Sequence, residues 1–196
     1  MDNISKIKKM LESNDVITAK MVTNTGIPRA YLKTALNQGI IEKAARGIYA
    51  DTSKWQDDML LLQHRYFKGI YSFNTALYLF DLTDVTPSKY DMTFPQGYNT
   101  KSLREQGINV TTMVPKYYNL GVTTAETICG NMVKCYDKEK TICDLVRREK
   151  QNDIRIVTDA LKFYVRQKDK DLSKLSQYAQ IMGVDKDMRK YLGVLL

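Results

Sequence analysis

The sequence has little cysteine and histidine and no long apolar run. Its three cysteines are odd in number and include no C-x-x-C pair, so we expect reduced, partly buried thiols: Cys129, Cys135 and Cys143. The one histidine, His64, has no second histidine or cysteine at ligand spacing, which favours a partly exposed helix position over metal binding. Without a bilayer-length apolar run or an apolar N-terminal block, we expect a cytoplasmic protein without membrane contact.

The common motifs of catalysis are also missing. Neither G-x-x-x-x-G-K-[ST] nor G-x-G-x-x-G occurs. No cysteine has a histidine nearby in sequence, and no carboxylates cluster at metal-ligand spacing. We therefore expect a protein that is not an enzyme and holds no metal or cofactor, while an enzyme acting on nucleic acid stays open as an alternative.

Positive charge is abundant, and it is concentrated towards both ends of the chain. The net charge is +8. Residues 1–54 contain nine Lys and Arg against five Asp and Glu, residues 55–130 six against seven, and residues 131–196 fifteen against ten. This distribution favours a polyanionic partner, although solvated lysine-rich helices would give the same totals.

The first fifty residues have the pattern of three short helices. The first helix carries an apolar stripe at three- and four-residue spacing: Ile4, Ile7, Met10 and Leu11. Thr18 is a suitable N-cap for a second helix that Gly26 ends. A third helix is expected to begin at Pro28 and to end at Gly39.

Two short β-prone runs follow these helices, at residues 40–43 and 48–50, across a turn that contains Gly47. Three helices followed by a hairpin is the element order of a winged helix-turn-helix. The sequence therefore predicts such a domain at residues 1–54, with the third helix in the major groove and the hairpin along the phosphate backbone.

The third helix has one apolar side and one side rich in hydrogen-bond donors. On its outer side, Lys33 suits guanine, Asn37 suits adenine, and Thr34 suits a thymine methyl group or a phosphate. The remaining candidates suit phosphates, which position a protein without reading sequence. Six residues are thus predicted to contact DNA: Arg29, Lys33, Thr34, Asn37, Lys43 and Arg46. A merely solvated polar face, or a winged helix that binds protein, stays open as an alternative.

Residues 55–196 are expected to form a second domain that mixes strands and helices. Helices are predicted at 55–67, with apolar contacts from Met59, Leu61, Leu62 and Phe67, and at 73–80, capped by Ser72. Strands are predicted at 90–94, 108–114 and 132–136. Asp137 can cap a helix that begins at residue 138, and residues from 152 onwards have a helical period. The whole chain is therefore predicted to be an α+β protein that ends in helices.

Three stretches of the chain resemble the AbiEi family of antitoxins and transcriptional regulators from abortive-infection type IV toxin-antitoxin systems. They are IPRAYLKTALNQGIIEKAARGIYA (27–50), YSFNTALYLFDLTDVTPSKYDMTFP (71–95) and VKCYDKEKTICDLVRR (133–148). The resemblance implies a winged helix-turn-helix that represses its own operon, and a C-terminal domain that counteracts a nucleotidyltransferase-like toxin without forming a stable complex with it. In the third stretch, Lys140 stands where an Arg is expected, so a bidentate contact there would be lost.

One winged helix covers little of a DNA groove, so we expect a monomer that binds repeated promoter half-sites as two copies. Basic residues near the C-terminus could supply further phosphate contacts: Arg147, Arg148, Arg155, Lys162 and Arg166. An equal alternative is that they pair with carboxylates about one helical turn away: Asp144, Glu149 and Asp159.

Overall fold

The computed structural model describes residues 2–148 and 153–195 and divides into two compact units. The N-terminal unit comprises the described part of Met1–Phe67 together with Thr127–Asn131. The C-terminal unit comprises the described parts of Lys68–Glu126 and Met132–Leu196. The N-terminal unit is therefore built from two segments that are far apart in sequence.

The N-terminal unit contains four helices and a three-stranded antiparallel sheet of order β1-β3-β2. Its elements are α1 (Asn3–Glu12), β1 (Val16–Thr18), α2 (Ala19–Asn24), α3 (Ala30–Asn37), β2 (Ile41–Ala45), β3 (Ile48–Asp51) and α4 (Asp58–Arg65). The three helices and the hairpin expected in this region are present, in an order compatible with the winged helix-turn-helix interpretation. The strand β1 was not predicted, because a strand of three residues has no periodic signal of its own.

Local capping explains where the first helices begin and end. The Thr18 hydroxyl accepts a hydrogen bond from the Met21 amide at 3.1 Å, and Gly26 has a φ of 77°, as the sequence predicted for the two ends of α2. The third helix begins at Ala30 rather than at Pro28. The Pro28 and Arg29 carbonyls accept from the amides three residues later, so the first turn is tighter than an α-helix.

The apolar stripes of these helices meet in one core. The fully buried members of this core come from α1, β1, α2, α3, β2 and the turn before α3: Ile7, Leu11, Ile17, Val22, Ile27, Leu32, Ala35 and Ile41. Because Leu32 and Ala35 lie on the inner side of α3, the opposite side of that helix is left at the surface.

A polar network joins the two segments of the N-terminal unit. The Lys54 ammonium donates to the Leu11 carbonyl and to the Asp15 carboxylate, both at 2.7 Å. The Asn131 amide donates to Asp15 at 2.8 Å and to Asp57 at 3.1 Å, and the Thr127 hydroxyl donates to Asp57. The predicted division after residue 54 therefore lies inside this unit, whose first segment continues to Phe67.

The helix expected at 55–67 is shorter in the structure. It begins at Asp58, because the Asp57 carboxylate accepts from the Met59 and Leu60 amides at 3.0 and 3.2 Å and caps it there. Met59 is buried as expected, and Leu61 and Leu62 are half-buried. The side chain of Phe67, by contrast, is 67% exposed.

The C-terminal unit contains a five-stranded mixed sheet of order β6-β5-β4-β8-β7. Its elements are β4 (Ile70–Tyr71), α5 (Phe73–Leu79), β5 (Asp91–Pro95), α6 (Lys101–Glu105), β6 (Asn109–Met113), α7 (Pro115–Tyr118), β7 (Val122–Glu126), β8 (Met132–Tyr136), α8 (Lys138–Arg147), α9 (Ile154–Arg166), α10 (Leu172–Met182) and α11 (Asp185–Leu195). This confirms the mixed α/β class ending in helices, with strands at the three predicted places. The short β4 and the edge strand β7 were not predicted.

Helices α5, α9, α10 and α11 pack against α8, eight of whose ten residues are buried. The predicted Asp137 cap is present, since its carboxylate accepts from the Lys140 amide at 2.8 Å. Ser72 occupies the N-cap position of α5 but makes no side-chain cap, because its hydroxyl instead accepts from the Thr93 hydroxyl at 2.9 Å.

The cysteines are free thiols, but they differ in environment. Cys135 and Cys143 are buried, and this burial raises the pKa of each thiol to about 12. The expectation of partial burial is wrong for Cys129, which is exposed. None of the described helices has both the length and the apolar character that crossing a bilayer requires.

Candidate nucleic-acid interface

A compact turn between α2 and α3 fixes the direction in which α3 leaves the core. The Gly26 amide donates to the Thr23 carbonyl at 3.0 Å, and the Ile27 amide donates to the Val22 carbonyl at 3.3 Å. Ile27 is buried directly after this turn, so the chain is anchored in the core immediately before α3 begins. The positive φ of Gly26 is a conformation that other residues rarely adopt, which explains the glycine.

The outer side of α3 presents the three predicted base-reading residues to solvent. Lys33, Thr34 and Asn37 are all exposed. Among the residues that the structure describes, none forms a side-chain hydrogen bond or an ion pair with any of the three. Lys33 and Asn37 are one helical turn apart, about 6 Å along the axis, which is close to two base steps. Their donors and acceptors are therefore available to a ligand.

Arg29 is exposed at the N-terminus of α3, but one of its donors is already used. Its Nε donates to the Thr23 hydroxyl at 3.2 Å, across the turn from α2. This bond orients the guanidinium, and no described residue accepts a hydrogen bond from its terminal N–H groups. A guanidinium held in this way suits contact with a phosphate oxygen.

The β2–β3 hairpin carries the two other predicted residues, Lys43 and Arg46, both of them exposed. Its pairing is irregular between Lys43 and Ala45, and Gly47 has a φ of 74° in the turn. The Gly47 carbonyl accepts from the Ala19 amide at 2.9 Å. The hairpin turn is therefore held against the start of α2.

This hydrogen bond also reveals a basic residue that the sequence analysis missed. This residue is Lys20, which is exposed and directly follows Ala19, the donor of the 2.9 Å hydrogen bond. Arg46 directly precedes Gly47, the acceptor of the same bond. The signal available in the sequence was the Thr18 cap, which places Lys20 in the first turn of a helix whose N-terminus attracts anions. Three further lysines of α1 are also exposed: Lys6, Lys8 and Lys9.

The predicted C-terminal contacts differ from one another in accessibility. Arg147 is exposed, and its guanidinium carbon lies 4.2 Å from the centre of the Tyr117 ring. Arg148 is half-buried, donates to the Thr111 hydroxyl at 3.0 Å, and stacks at 4.6 Å from the centre of the Phe73 ring. Burial lowers the pKa of the Arg148 guanidinium. Arg148 therefore has a structural role within this unit.

On α9, two of the predicted cations are paired with acidic residues nearby. Arg155 is bound to Asp153 at 2.6 Å, and Lys162 is bound to Asp159 at 3.0 Å. Arg166 is exposed. The expectation that these cations pair with carboxylates about one helical turn away therefore holds for Asp159. The Asp144 carboxylate is bound by Lys140 instead, at 2.6 Å, and Glu149 lies outside the described residues.

Groups suited to metal or proton chemistry are sparse. In residues 2–148 and 153–195, no three histidine, cysteine, aspartate or glutamate side chains come together as metal ligands. His64 is half-buried on α4, as predicted, and its burial lowers the pKa of the imidazole.

Comparisons with known proteins agree with the architecture. No curated protein matches the chain. The crystal structure of the RV2827C protein from Mycobacterium tuberculosis is similar, with a TM-score of 0.57 and 11% sequence identity, over 98% of this chain and 80% of that chain. At this level of identity, the similarity shows a common fold alone.

A family comparison covers the segment that contains α2, α3 and the hairpin. Residues 6–50 match the family described as "Transcriptional regulator, AbiEi antitoxin". The resemblance predicted from the sequence is therefore confirmed over this segment, while stretches 71–95 and 133–148 lie outside the match. The match implies a role as an antitoxin or transcriptional regulator, and over residues 6–50 the chain is similar to the AbiEi antitoxins.

Proposed function

We propose that the chain is a type IV antitoxin that represses its own operon, with residues 1–54 acting as a winged helix-turn-helix on promoter DNA. The observation that carries this proposal is the outer side of α3, where Lys33, Thr34 and Asn37 are exposed and available. A donor-rich helix face of this kind suits base edges in the major groove. The match of residues 6–50 to AbiEi transcriptional regulators supports the same assignment.

In this proposal, phosphate contacts surround the reading helix. Arg29 lies at the N-terminus of α3, Lys43 and Arg46 lie on the hairpin, and Lys20 joins them because of its position beside the hairpin turn. These contacts fix the orientation of α3 in the groove without reading sequence. Since a single winged helix-turn-helix makes few contacts with DNA, two copies of the chain bound to repeated half-sites would supply the affinity.

The test is binding of the full chain to its own upstream DNA, measured by fluorescence anisotropy against an unrelated duplex of equal length. The double variant Lys33→Ala/Asn37→Ala is expected to lose affinity for its own promoter by tenfold or more, since each good base contact contributes about 1–3 kcal/mol. Binding to the unrelated duplex should change less. The matched control is Lys186→Ala/Gln177→Ala, which removes an exposed lysine and an exposed amide from the C-terminal unit.

A protein-binding adaptor is the competing function, and the same experiment separates the two. If the wild-type chain does not bind its own promoter even at low ionic strength, where phosphate attraction is strongest, the DNA-binding proposal fails and the adaptor is favoured. Binding of both duplexes with equal affinity would refute repression at specific sites.

The antitoxin activity is assigned to residues 55–196, acting against a nucleotidyltransferase-like toxin by functional antagonism without a stable complex. Co-expression with the product of a neighbouring gene of that class tests this assignment. We expect the chain to restore growth, and the Lys33→Ala/Asn37→Ala variant to restore it equally well. Loss of protection in that variant, at equal protein levels, would contradict a separate role for the second domain.

A further inference from the structure

The C-terminal unit contains a cavity of about 460 Å³, a volume within the range of small-molecule sites. It lies between α5, the loop that follows it, the first residues of β5 and β6, and the N-terminal half of α9. Much of its wall is apolar, with Leu77, Leu82, Val85, Ile156 and Ala160 among the lining residues. Such a wall can cover the apolar part of a ligand.

Asp91 lines this cavity and carries a buried oxygen atom that lacks a hydrogen-bond donor. The residue is only 9% exposed, and among the residues that the structure describes, no donor is bound to its Oδ2. Its backbone is fully used, because the amide donates to the Thr75 hydroxyl at 2.8 Å and the carbonyl accepts from the Ser72 amide at 3.0 Å. A buried carboxylate oxygen without a donor is costly, and among the described residues Asp144 Oδ1 is in the same state.

The immediate neighbours of Asp91 do not neutralise it fully. Burial raises the pKa of the Asp91 carboxyl, and hydrogen bonding to the carboxyl from the Asn109 side chain, from the Thr75 backbone and from the backbone and side chain of Asn74 opposes this rise. The Arg148 guanidinium interacts electrostatically with Asp91, and it donates to Thr111. Of the other charged lining residues, Arg155 is bound to Asp153 and Asp159 is bound to Lys162, while Lys89 is exposed.

We infer that this cavity binds a small organic cation, whose amidinium, guanidinium or ammonium N–H groups donate to Oδ2 of Asp91 and whose apolar part lies against Leu77, Leu82 and Ile156. Such a ligand provides the missing donor and compensates the buried negative charge at the same time. Asn74 and Asn109 also line the cavity, and they orient the polar end of the ligand beside the carboxylate.

The test uses benzamidinium and its neutral, nearly isosteric counterpart benzamide as probes of the full chain. Binding is measured by isothermal titration calorimetry in buffer of constant chloride concentration. We expect benzamidinium to bind at least tenfold more tightly than benzamide, and Asp91→Asn to abolish this preference. The matched control is Asp81→Asn, an exposed aspartate that does not line the cavity and whose φ of 54° an asparagine also tolerates.

A second variant keeps the test decisive if Asp91→Asn alters the fold. Val85 lines the cavity and is 70% exposed, so Val85→Arg places a cation at the rim without disturbing the core. It is expected to weaken benzamidinium binding and to leave benzamide binding within twofold. Equal affinities of the wild-type chain for the two probes, no saturable binding of either probe, or full retention of the preference in Asp91→Asn would each overturn the inference.

Discussion

The Lys140 ammonium lies 2.6 Å from one carboxylate oxygen of Asp144, and both side chains are at most 1% exposed. The ammonium also lies 4.3 Å from the centre of the Tyr136 ring. The second oxygen of Asp144 has no hydrogen-bond partner among the described residues. This single contact agrees with the sequence expectation that a lysine here would not reproduce the bidentate contact of an arginine.

Replacing Lys140 by methionine is expected to reduce the free energy of unfolding by about 3–5 kcal/mol, because it leaves the Asp144 carboxylate buried without a counter-ion. Adding Asp144→Leu should recover most of this loss, since the pair is then replaced by apolar groups. Urea denaturation followed by circular dichroism measures both effects, with Lys186→Met as an exposed control. A double variant as unstable as the single variant would contradict this account.

Gly121 sets a steric limit beside the same pair. A Cβ atom on Gly121 would lie 2.6 Å from the Lys140 Cβ and 2.9 Å from the Asp137 Oδ1, at a backbone φ of +67°. We expect Gly121→Ala to lower the free energy of unfolding by at least about 2 kcal/mol, through backbone strain and overpacking.

The control for this effect is Gly107→Ala, which has a similar φ of +76° and nothing within 4 Å of the added Cβ. It carries the backbone strain alone, about 1 kcal/mol. Thermal or urea unfolding compares the two variants. Equal destabilisation of both would show that the approach of Lys140 and Asp137 has no energetic consequence.

The Asp15 carboxylate stabilises the N-terminal unit through Lys54 and Asn131, and its side chain is 25% exposed. Hydrogen bonding from Lys54, and then from Asn131, lowers the pKa of Asp15. Its stabilising contribution is therefore present above the pKa of an unfolded aspartate, near 3.9, and is lost as the pH falls through the lowered value.

Asp15→Asn is accordingly expected to cost about 1 kcal/mol at pH 7, after allowance for solvent screening, and progressively less below about pH 4. Chemical denaturation at several pH values measures the difference from wild type. Glu12→Gln, at an exposed position of α1, serves as the control. A cost that stays constant from pH 7 to pH 2 would exclude ionisation of Asp15 as its origin.

Arg148 is expected to affect the stability of the fold and not the salt dependence of DNA binding. Arg148→Ala removes a hydrogen bond to Thr111 and a stacking contact on Phe73, which should cost about 1–2 kcal/mol. The slope of log affinity against log salt should stay unchanged, whereas Arg46→Ala should make it shallower by about one phosphate contact. If the folded Arg148→Ala variant showed a shallower slope of log affinity against log salt, Arg148 would contact a DNA phosphate and this prediction would be wrong.

Much of the local structure could be predicted because its causes are local. The spacing of Ile7 and Leu11, the Thr18 and Asp137 caps, and the strand at 132–136 each depend on residues that are close in sequence. The exposure of Lys33 and Asn37 follows from the same helical period that buries Leu32.

What could not be predicted depends on partners distant in the chain. Strand β4 has two residues and exists because β5 and β8 pair with it. The half-burial of Arg148 depends on Thr111, which lies on β6. The orphan oxygen of Asp91 results from the packing of α5, β5 and β6, and no pattern in the sequence marks a side chain that lacks a partner.

The split construction of the N-terminal unit governs how its activities can be dissected. A fragment that stops after residue 54 loses the Asp57 cap, and one that stops after Phe67 still lacks Thr127 and Asn131, the donors to Asp57 and Asp15. A truncated chain would lack the C-terminal unit and also the Thr127 and Asn131 side chains, which belong to the N-terminal unit. The effects of these two losses could not be separated. Point substitutions in the intact chain are therefore the appropriate genetic tool, and a transplanted N-terminal unit would have to include residues 127–131.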